Sequence, residues 1–185
     1  EHGASEVVGI DISEISINNC IISAESRNVQ NSTRYMIADA EATGFKDSSF
    51  DIVTEYGALH HLDLDKAYAE IARILKDDGK AICNEALRHN ILIHAYRKLT
   101  PSIRTEWEVD HILGRNDINK AKQYFENVEV HLFHIFTLFA VPFRNTKIFN
   151  PLLNFLEKID KFCLKIPLLR WQAWQVIIIL SNPKK

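Results

Sequence analysis

The sequence has few cysteines, no excess of basic residues and no long uninterrupted apolar run. Its three cysteines, Cys20, Cys83 and Cys163, are far apart and form no CxxC pair, which argues against a disulfide framework or zinc site and favours reduced thiols. A formal net charge of −2 provides no basic footprint for nucleic acid. The longest apolar run, 132–143, is shorter than the roughly 20 residues of a membrane span. We therefore predict a soluble, cytoplasmic protein that binds no nucleic acid.

Strand and helix patterns alternate through the first half. Apolar runs predict strands at 6–10, 34–38, 50–54 and 80–85. The first helix follows Ser13 as its N-cap, and the second begins at Asp63 or Asp65 and ends at Gly79. The residues predicted to face the core are Ile17, Ile21 and Ile22 in the first helix and Tyr68, Ile71 and Leu75 in the second. This alternation predicts a three-layer α/β fold, with a mostly parallel sheet and helices on both faces.

The second half has a different pattern. It begins with a short amphipathic helix at 117–125 and a strand at 128–136. An apolar, basic and helical stretch at 144–170 follows, and then a strong strand at 174–181. Two late strands separated by helical residues predict an antiparallel pair at the C-terminal edge of the sheet, with one strand slotted inward. We treat 1–185 as a single domain, with a cofactor-binding half (1–90), a substrate side (91–185) and a helical insertion at about 137–172.

Two acidic residues directly follow apolar strands. Asp11 comes after VVGI and Asp39 after YMIA. In a nucleotide-binding unit, a carboxylate at such a strand end can accept both ribose hydroxyls. One strand later, a carboxylate and the next backbone amide can read an adenine edge. The pair therefore predicts an adenosine site, and the alternative is that each Asp only caps the turn that follows it.

Three segments carry a resemblance to a known family: GIDIS, IADAEATGFKDSSFDIVTEYGALHHL and AYAEIARILKDDGKAI. Together, over about residues 1–90, they resemble class I S-adenosylmethionine-dependent methyltransferases of the methyltransferase type 11 kind. The resemblance implies a Rossmann-like methyltransferase fold with S-adenosylmethionine as cofactor. It also implies that Asp11 binds the ribose, Ile12 packs on the adenine, Asp39 and the Ala40 amide read the adenine edge, and Glu55 and Tyr56 lie near the methionine end.

The family's glycine-rich loop, which follows its first strand, is absent from the sequence. In the family that strand and its helix precede the segment matching EHGA, where Gly3 is typical of a helix end. The first strand would lie between the strand ending at Asp11 and the strand beginning at Phe50. Since neighbouring strands are about 4.8 Å apart, its absence would leave a slot of about 10 Å. We therefore expect the 185 residues to be a fragment that alone binds cofactor poorly.

Methyl transfer from a sulfonium is governed by proximity and orientation, and a base is needed only if the acceptor must lose a proton. His60 and His61, just past the third strand, are the candidate bases, and the alternative is that they pack and cap the loop. Adjacent histidines without convergent Cys, Asp or Glu do not form a metal site, so no metal is predicted. His131 and His134, on the predicted strand 128–136, are interpreted as structural.

The substrate side holds two further features. Glu85 and the segment with Arg88, His89 and Asn90 are expected to line the substrate mouth, next to a loop extending to residue 116 that contains Asp110-His111. Its composition suits an anionic or polar acceptor, or a solvated loop. The basic stretch 144–170 is typical of an amphipathic helix pair on an anionic membrane, or of an insertion that packs over the sheet. On a membrane, the acceptor would be a lipid, a quinone or a lipid-linked sugar.

Three functions remain open at this point. The leading one is methyl transfer from S-adenosylmethionine to a small-molecule or lipid-like acceptor. An NAD(P)-dependent oxidoreductase is an alternative, because an acid at a second strand end also serves NAD, although no Tyr-x-x-x-Lys occurs. The other alternative is a truncated or degenerate domain that acts as a non-catalytic binding or membrane-surface module.

Overall fold

A computed structural model of the 185-residue chain describes residues 3–91, 93 and 112–185. It divides into two compact units, Glu1–Lys46 and Asp47–Lys185. This boundary differs from the predicted division into a cofactor-binding half (1–90) and a substrate side (91–185). That division concerns function and remains a prediction. The predicted Asp110-His111 pair lies outside the described residues.

The first unit is a β-α-β motif. Strand β1 (Val7–Asp11) is followed by helix α1 (Glu14–Ser26) and strand β2 (Thr33–Ile37). The strands are parallel, and Asp11 is the register partner of Ile37. Ser13 caps α1, because its hydroxyl accepts a hydrogen bond from the Ser16 amide at 3.3 Å. The predicted strand–helix–strand order is thus confirmed within a residue or two at each boundary.

The predicted core face of α1 is only partly correct. The buried residues of this helix are Ile17 and Ala24, which are seven residues apart and share one face. Ile21 lies at the edge of that face, and Ile22 is 63% exposed. At about 100° per residue, Ile22 is roughly 140° around the helix from Ile17. It therefore cannot point in the same direction.

The second unit contains a four-stranded sheet in the order β3-β4-β6-β5. Strand β3 pairs with β4 in parallel, and β6 is antiparallel to both β4 and β5. This confirms the α/β class and the predicted late strand slotted inward. The elements of this unit are β3 (Phe50–Tyr56), α2 (Leu64–Ile74), β4 (Leu75–Ala86), α3 (Arg115–Lys120), β5 (Phe125–Phe133), α4 (Phe149–Cys163) and β6 (Gln175–Pro183).

The core of the second unit lies against β4 and β6. On β6, Val176, Ile178 and Leu180 are fully buried, and the residues between them are half-buried. Both faces of this strand are therefore covered, as its uninterrupted apolar sequence predicts. Tyr68 of α2 is also fully buried in this cluster, so α2 is held by its apolar face.

Helix α2 ends earlier than predicted. It begins after Asp63, whose carboxylate accepts from the amides of Asp65 and Lys66, but it ends at Ile74 rather than at Gly79. Leu75 is fully buried and already belongs to β4. A Cβ on Gly79 would lie 2.9 Å from Leu75 Cδ2, so the glycine is required for close packing inside the strand and does not terminate the helix.

Two predictions for the later elements are also corrected. Strand β5 ends at Phe133, and His134 follows with a left-handed φ of 63°, so His134 is not on the strand. The stretch 144–170 holds one α-helix, α4, flanked by the 3₁₀ turns Thr137–Phe143 and Arg170–Gln172, instead of a helix pair. Among the helices that the structure describes, none is long and apolar enough to cross a membrane.

Candidate active site

In the first unit, Asp11 and Asp39 lie at the same edge of the β1–β2 sheet. Asp11 ends β1, its register partner Ile37 ends β2, and Asp39 follows two residues later. Both side chains are exposed. The carboxyl ends of parallel strands are where ligands bind in open α/β sheets. The structure therefore places the two carboxylates where a nucleoside could reach both.

Each of these carboxylates also closes a turn. Oδ1 of Asp11 accepts from the Ser13 amide at 2.8 Å, and Oδ1 of Asp39 accepts from the Glu41 amide at 2.8 Å. The turn-capping interpretation is thus correct for one oxygen of each residue. Among the described residues, the second oxygen of each carboxylate has no hydrogen-bond donor, so turn capping and ligand binding are compatible.

The neighbours of these two residues differ in exposure. Ile12, predicted to pack on adenine, is 77% exposed, and a flat ring laid against it would bury apolar surface. Ala40 is half-buried, and its amide has no acceptor within the described part of the chain. The cofactor contacts of Ile12 and Ala40 remain predictions.

In the second unit, His60 is held by Glu85 across the end of the sheet. Gly57, with a left-handed φ of 66°, turns the chain back after β3 and donates its amide to the Asn84 carbonyl at 2.9 Å. The 3₁₀ turn Leu59–His61 follows. His60 Nδ1 lies 2.7 Å from Glu85 Oε2, and the His60 amide donates to Glu85 Oε1 at 3.3 Å. This carboxylate orients the imidazole.

A second carboxyl group, that of Glu55 on β3, lies beside Glu85. Its Oε2 accepts from the Ala58 amide at 2.9 Å, whereas its Oε1 is buried with no hydrogen-bond partner among the described residues. Burial, followed by the charge of Glu85, raises the pKa of Glu55 to about 8. Burial also raises the pKa of Glu85, but amide donors at His60 and Leu59 favour its charged form.

The pKa values of both carboxyl groups are raised, and that of Glu55 is raised further, which favours the protonated form of Glu55. A protonated Glu55 donates to Glu85, which gives its otherwise unpaired oxygen a partner. Glu85 then remains charged, with the amide and ring of His60 as its donors. A proton on Nδ1 directed at this carboxylate would leave Nε2 of a neutral imidazole as a proton acceptor.

This arrangement predicts a pH-dependent stability that the variant Glu55→Gln should abolish. Because the pKa of Glu55 is raised on folding, the folded state binds this proton more tightly than the unfolded state. Its contribution is fully present below the unfolded pKa and is lost as pH rises toward the folded pKa. We expect the wild-type free energy of unfolding to fall by about 1–3 kcal/mol relative to Glu55→Gln between pH 5 and 9.

Urea unfolding at pH 5, 7 and 9 measures this difference. Tryptophan fluorescence is a suitable signal, because Trp171 and Trp174 belong to the second unit. The matched control is Asp78→Asn, at an exposed acid on β4, which should leave the pH profile unchanged. Parallel profiles for wild type and Glu55→Gln would show that the carboxyl pair does not share a proton.

The other predicted residues near this cluster are more exposed. The ring of His61 lies 4.0 Å from that of His60, centroid to centroid, and its side chain is exposed. Tyr56 ends β3 and is exposed. The contact of Tyr56 with a cofactor remains a prediction. The cofactor contact of Glu55 also remains a prediction, and its carboxyl group lies in the buried cluster. Within the described ranges, no group of three His, Cys, Asp or Glu could hold a metal ion.

Two of the residues predicted to line the substrate mouth make contacts with the segment around α3. Arg88 pairs with Asp117 at 3.3 Å. His89 accepts from the Arg115 amide at 3.2 Å. Both contacts connect the end of β4 to the segment around α3, and the predicted place of Arg88 and His89 at the substrate mouth remains a prediction.

Asn90 lies at an apolar cavity just beyond the end of β4. Its side chain is 1% exposed, donates to the Gln172 carbonyl at 2.6 Å and accepts from the Ile93 amide at 2.9 Å. The cavity has a volume of about 260 Å³ and is lined by Asn90, Ile91, Ile135, Phe136, Cys163, Leu169 and Gln172. Its lining suits the apolar part of a small molecule.

Comparisons with known proteins find similarity in the first part of the chain. Residues 1–83 match a family described as a methyltransferase domain. The uncharacterized methyltransferase YcgJ of Bacillus subtilis is 38% identical over 76 residues, which are 40% of this chain and 30% of that protein. The ubiquinone/menaquinone biosynthesis C-methyltransferase UbiE of Rickettsia typhi is 37% identical over 109 residues, 57% of this chain and 43% of that protein.

Solved structures extend the likeness in fold to nearly the whole chain. Phosphoethanolamine N-methyltransferase 2 of Haemonchus contortus, in complex with S-adenosyl-L-methionine, aligns with 97% of this chain and 44% of that chain, at a TM-score of 0.65 and 19% identity. The chain spans less than half the length of the curated relatives it matches. The resemblance to methyltransferases and the Rossmann-like fold are confirmed, and the NAD(P)-dependent alternative gains no support.

Proposed function

We propose that this chain, whose residues 1–83 match a methyltransferase domain, binds S-adenosylmethionine and transfers its methyl group to a small-molecule or lipid-like acceptor. One observation carries the proposal. The matched region contains Asp11 and Asp39, which lie at the same edge of the sheet, at the carboxyl ends of two parallel strands. Each has a carboxylate oxygen that no described residue uses. Two such acceptors suit the hydroxyl and amino donors of an adenosine.

The residues of the first unit would hold the cofactor. Asp11 would accept from the ribose hydroxyls through its unused oxygen, while its other oxygen keeps the turn to Ser13. Asp39 and the Ala40 amide would read the adenine edge. Ile12 would cover the ring. Bound S-adenosylmethionine supplies a methyl group that is already activated by the sulfonium, so these residues act by binding and orientation.

His60 would act as the general base where the acceptor must lose a proton. Its imidazole is held by Glu85 at 2.7 Å, and Glu55 keeps its own proton beside that carboxyl group. A charged Glu85 favours the imidazolium that forms when His60 accepts a proton. This orienting contact makes His60 the first of the two histidines to test.

The acceptor would place an apolar group in the cavity beyond β4. At about 260 Å³, this cavity is slightly smaller than typical ligand pockets of about 300–1,000 Å³, so it suits one apolar portion of a larger molecule. The relative UbiE, named for ubiquinone/menaquinone biosynthesis, supports a quinone-like acceptor. A cytoplasmic location belongs to the same proposal, and the free thiols of Cys20, Cys83 and Cys163 support it.

The variant Asp11→Ala tests the cofactor site. We expect it to weaken binding of S-adenosylmethionine by about 1.5–3 kcal/mol, the usual contribution of hydrogen bonds to a charged group. Isothermal titration calorimetry at constant salt measures the loss. Asp39→Ala should give a smaller loss, because an adenine edge offers weaker donors than a charge-assisted ribose contact.

Asp11→Asn separates ligand binding from turn closure, because its amide oxygen can still accept from the Ser13 amide. A loss of affinity in both Asp11 variants supports the ribose contact. A loss in Asp11→Ala alone would assign the effect to the turn. Unchanged affinity in both would contradict the proposed cofactor site.

A further inference from the structure

An exposed stripe of apolar and basic residues lies along helix α4 and the segment after it. We propose that this stripe docks the protein on a membrane surface that contains anionic lipids. The docking stripe consists of Ile148, Phe155, Lys158, Phe162, Lys165, Leu168 and Leu169. The proposal does not rest on the proposed cofactor site or on the His60 cluster, and Leu169 is the one stripe residue that also lines the cavity proposed for the acceptor.

The apolar members of the docking stripe follow the helix period. Ile148, Phe155 and Phe162 are seven residues apart and therefore lie on one face. They are 61%, 60% and 68% exposed. Single exposed apolar residues are common on protein surfaces, but a continuous row of large ones marks an interaction site.

Lysines lie between these apolar side chains. Lys158 is three residues after Phe155 and four before Phe162, so it shares their face. Lys165 follows Phe162 by three residues. Over 144–170 the exposed cations are Arg144, Lys147, Lys158, Lys161 and Lys165, and Glu157 is the exposed acid. Among the described residues none of these cations forms an ion pair, so their charge is available to a partner.

The opposite face of α4 is already occupied by the protein. Leu156 and Asp160 are buried, and the Asp160 carboxylate accepts from the amides of Ile135, Phe136 and Thr137. The interpretation of 144–170 as a packed insertion is therefore correct for this face. Since this buried face attaches α4 to the rest of the unit, the exposed apolar side chains of the docking stripe are not required for folding.

The composition of the stripe favours lipid over a protein or nucleic-acid partner. Protein interfaces are depleted in lysine, and a second copy of this chain would present like charges. Nucleic-acid sites rely on phosphate contacts over a basic surface, but the chain as a whole has a net charge of −2. Phenylalanine and leucine interleaved with lysine are typical of helices lying in an anionic interface.

Flotation of the complete chain with vesicles tests the proposal. We expect the chain to bind vesicles of phosphatidylcholine that contain about 30 mol% phosphatidylglycerol. It should bind vesicles of phosphatidylcholine alone only weakly. Raising the salt to about 0.5 M should reduce binding, since exposed charges are then screened.

The double variant Lys158→Glu with Lys165→Glu should weaken binding at least about 25-fold, since each lysine lost corresponds to about fivefold in affinity. Phe155→Ser with Phe162→Ser should weaken it at least about tenfold.

Matched controls use exposed residues outside the stripe. Ile15→Ser with Ile22→Ser removes two exposed apolar residues of α1, and Lys80→Glu with Lys122→Glu reverses two exposed lysines. Both control variants should bind as the wild type does. Equal binding to the two vesicle types, or equal binding by stripe and control variants, would overturn the proposal. Binding to a single-stranded RNA instead of vesicles would overturn it as well, and circular dichroism confirms that each variant is folded.

Discussion

Replacing His60 with alanine is expected to lower turnover by about 100- to 10,000-fold, the usual contribution of a general base. The physical reason is that the imidazole is oriented by Glu85 at 2.7 Å in a position past β3 where it can accept a proton from the acceptor. Affinity for S-adenosylmethionine should hardly change. Transfer of a labelled methyl group to an acceptor found by screening measures turnover, and calorimetry measures cofactor affinity.

His61→Ala is the matched control, because it removes the neighbouring imidazole, whose ring lies 4.0 Å from that of His60 and whose side chain is exposed. Its effect on turnover should remain below about tenfold. Added imidazole should partly restore His60→Ala if the missing group is a base. Glu85→Gln should lower turnover by less than His60→Ala, because the ring remains but loses its charged partner. Normal turnover in His60→Ala would exclude the base role and leave the methyltransferase proposal intact.

The order of the strands was predictable because their apolar runs are short and end at turn residues. Strands β1, β2 and β3 lie within two residues of their predicted bounds. The inserted position of β6 followed from its uninterrupted apolar sequence. The end of α2 was not predictable in the same way, since Leu75 fits the helical period but is fully buried in β4. There, tertiary packing overrides the local pattern.

The candidate site was predictable residue by residue but not as a set of contacts. The pairing of His60 with Glu85 depends on the β3–β4 register and on the turn at Gly57, which no local pattern reveals. One signal was present: Ala81, Cys83 and Glu85 alternate along β4, which places Glu85 on the buried face. Asp160 was missed because it lies in a basic segment, although it follows the buried Leu156 by one helical turn.

Replacing Asp160 with alanine is expected to lower the free energy of unfolding by about 3–5 kcal/mol. The side chain is 4% exposed, and its two oxygens accept from three consecutive amides, those of Ile135, Phe136 and Thr137, at 3.0, 2.8 and 3.3 Å. The Thr137 hydroxyl donates to it as well, at 3.0 Å. Removing the carboxylate leaves these donors without an acceptor in a buried position, where each unpaired group costs about 1–3 kcal/mol.

The control is Glu157→Ala, which removes an exposed acid from the same helix and should change the free energy of unfolding by less than about 0.5 kcal/mol. Asp160→Asn retains one acceptor oxygen, so its loss should lie between those of the two alanine variants. Urea unfolding followed by tryptophan fluorescence measures all three. If Asp160→Ala were as stable as Glu157→Ala, the carboxylate would not anchor α4. Asp160 would then not account for the orientation of α4, in which the docking stripe faces away from the sheet.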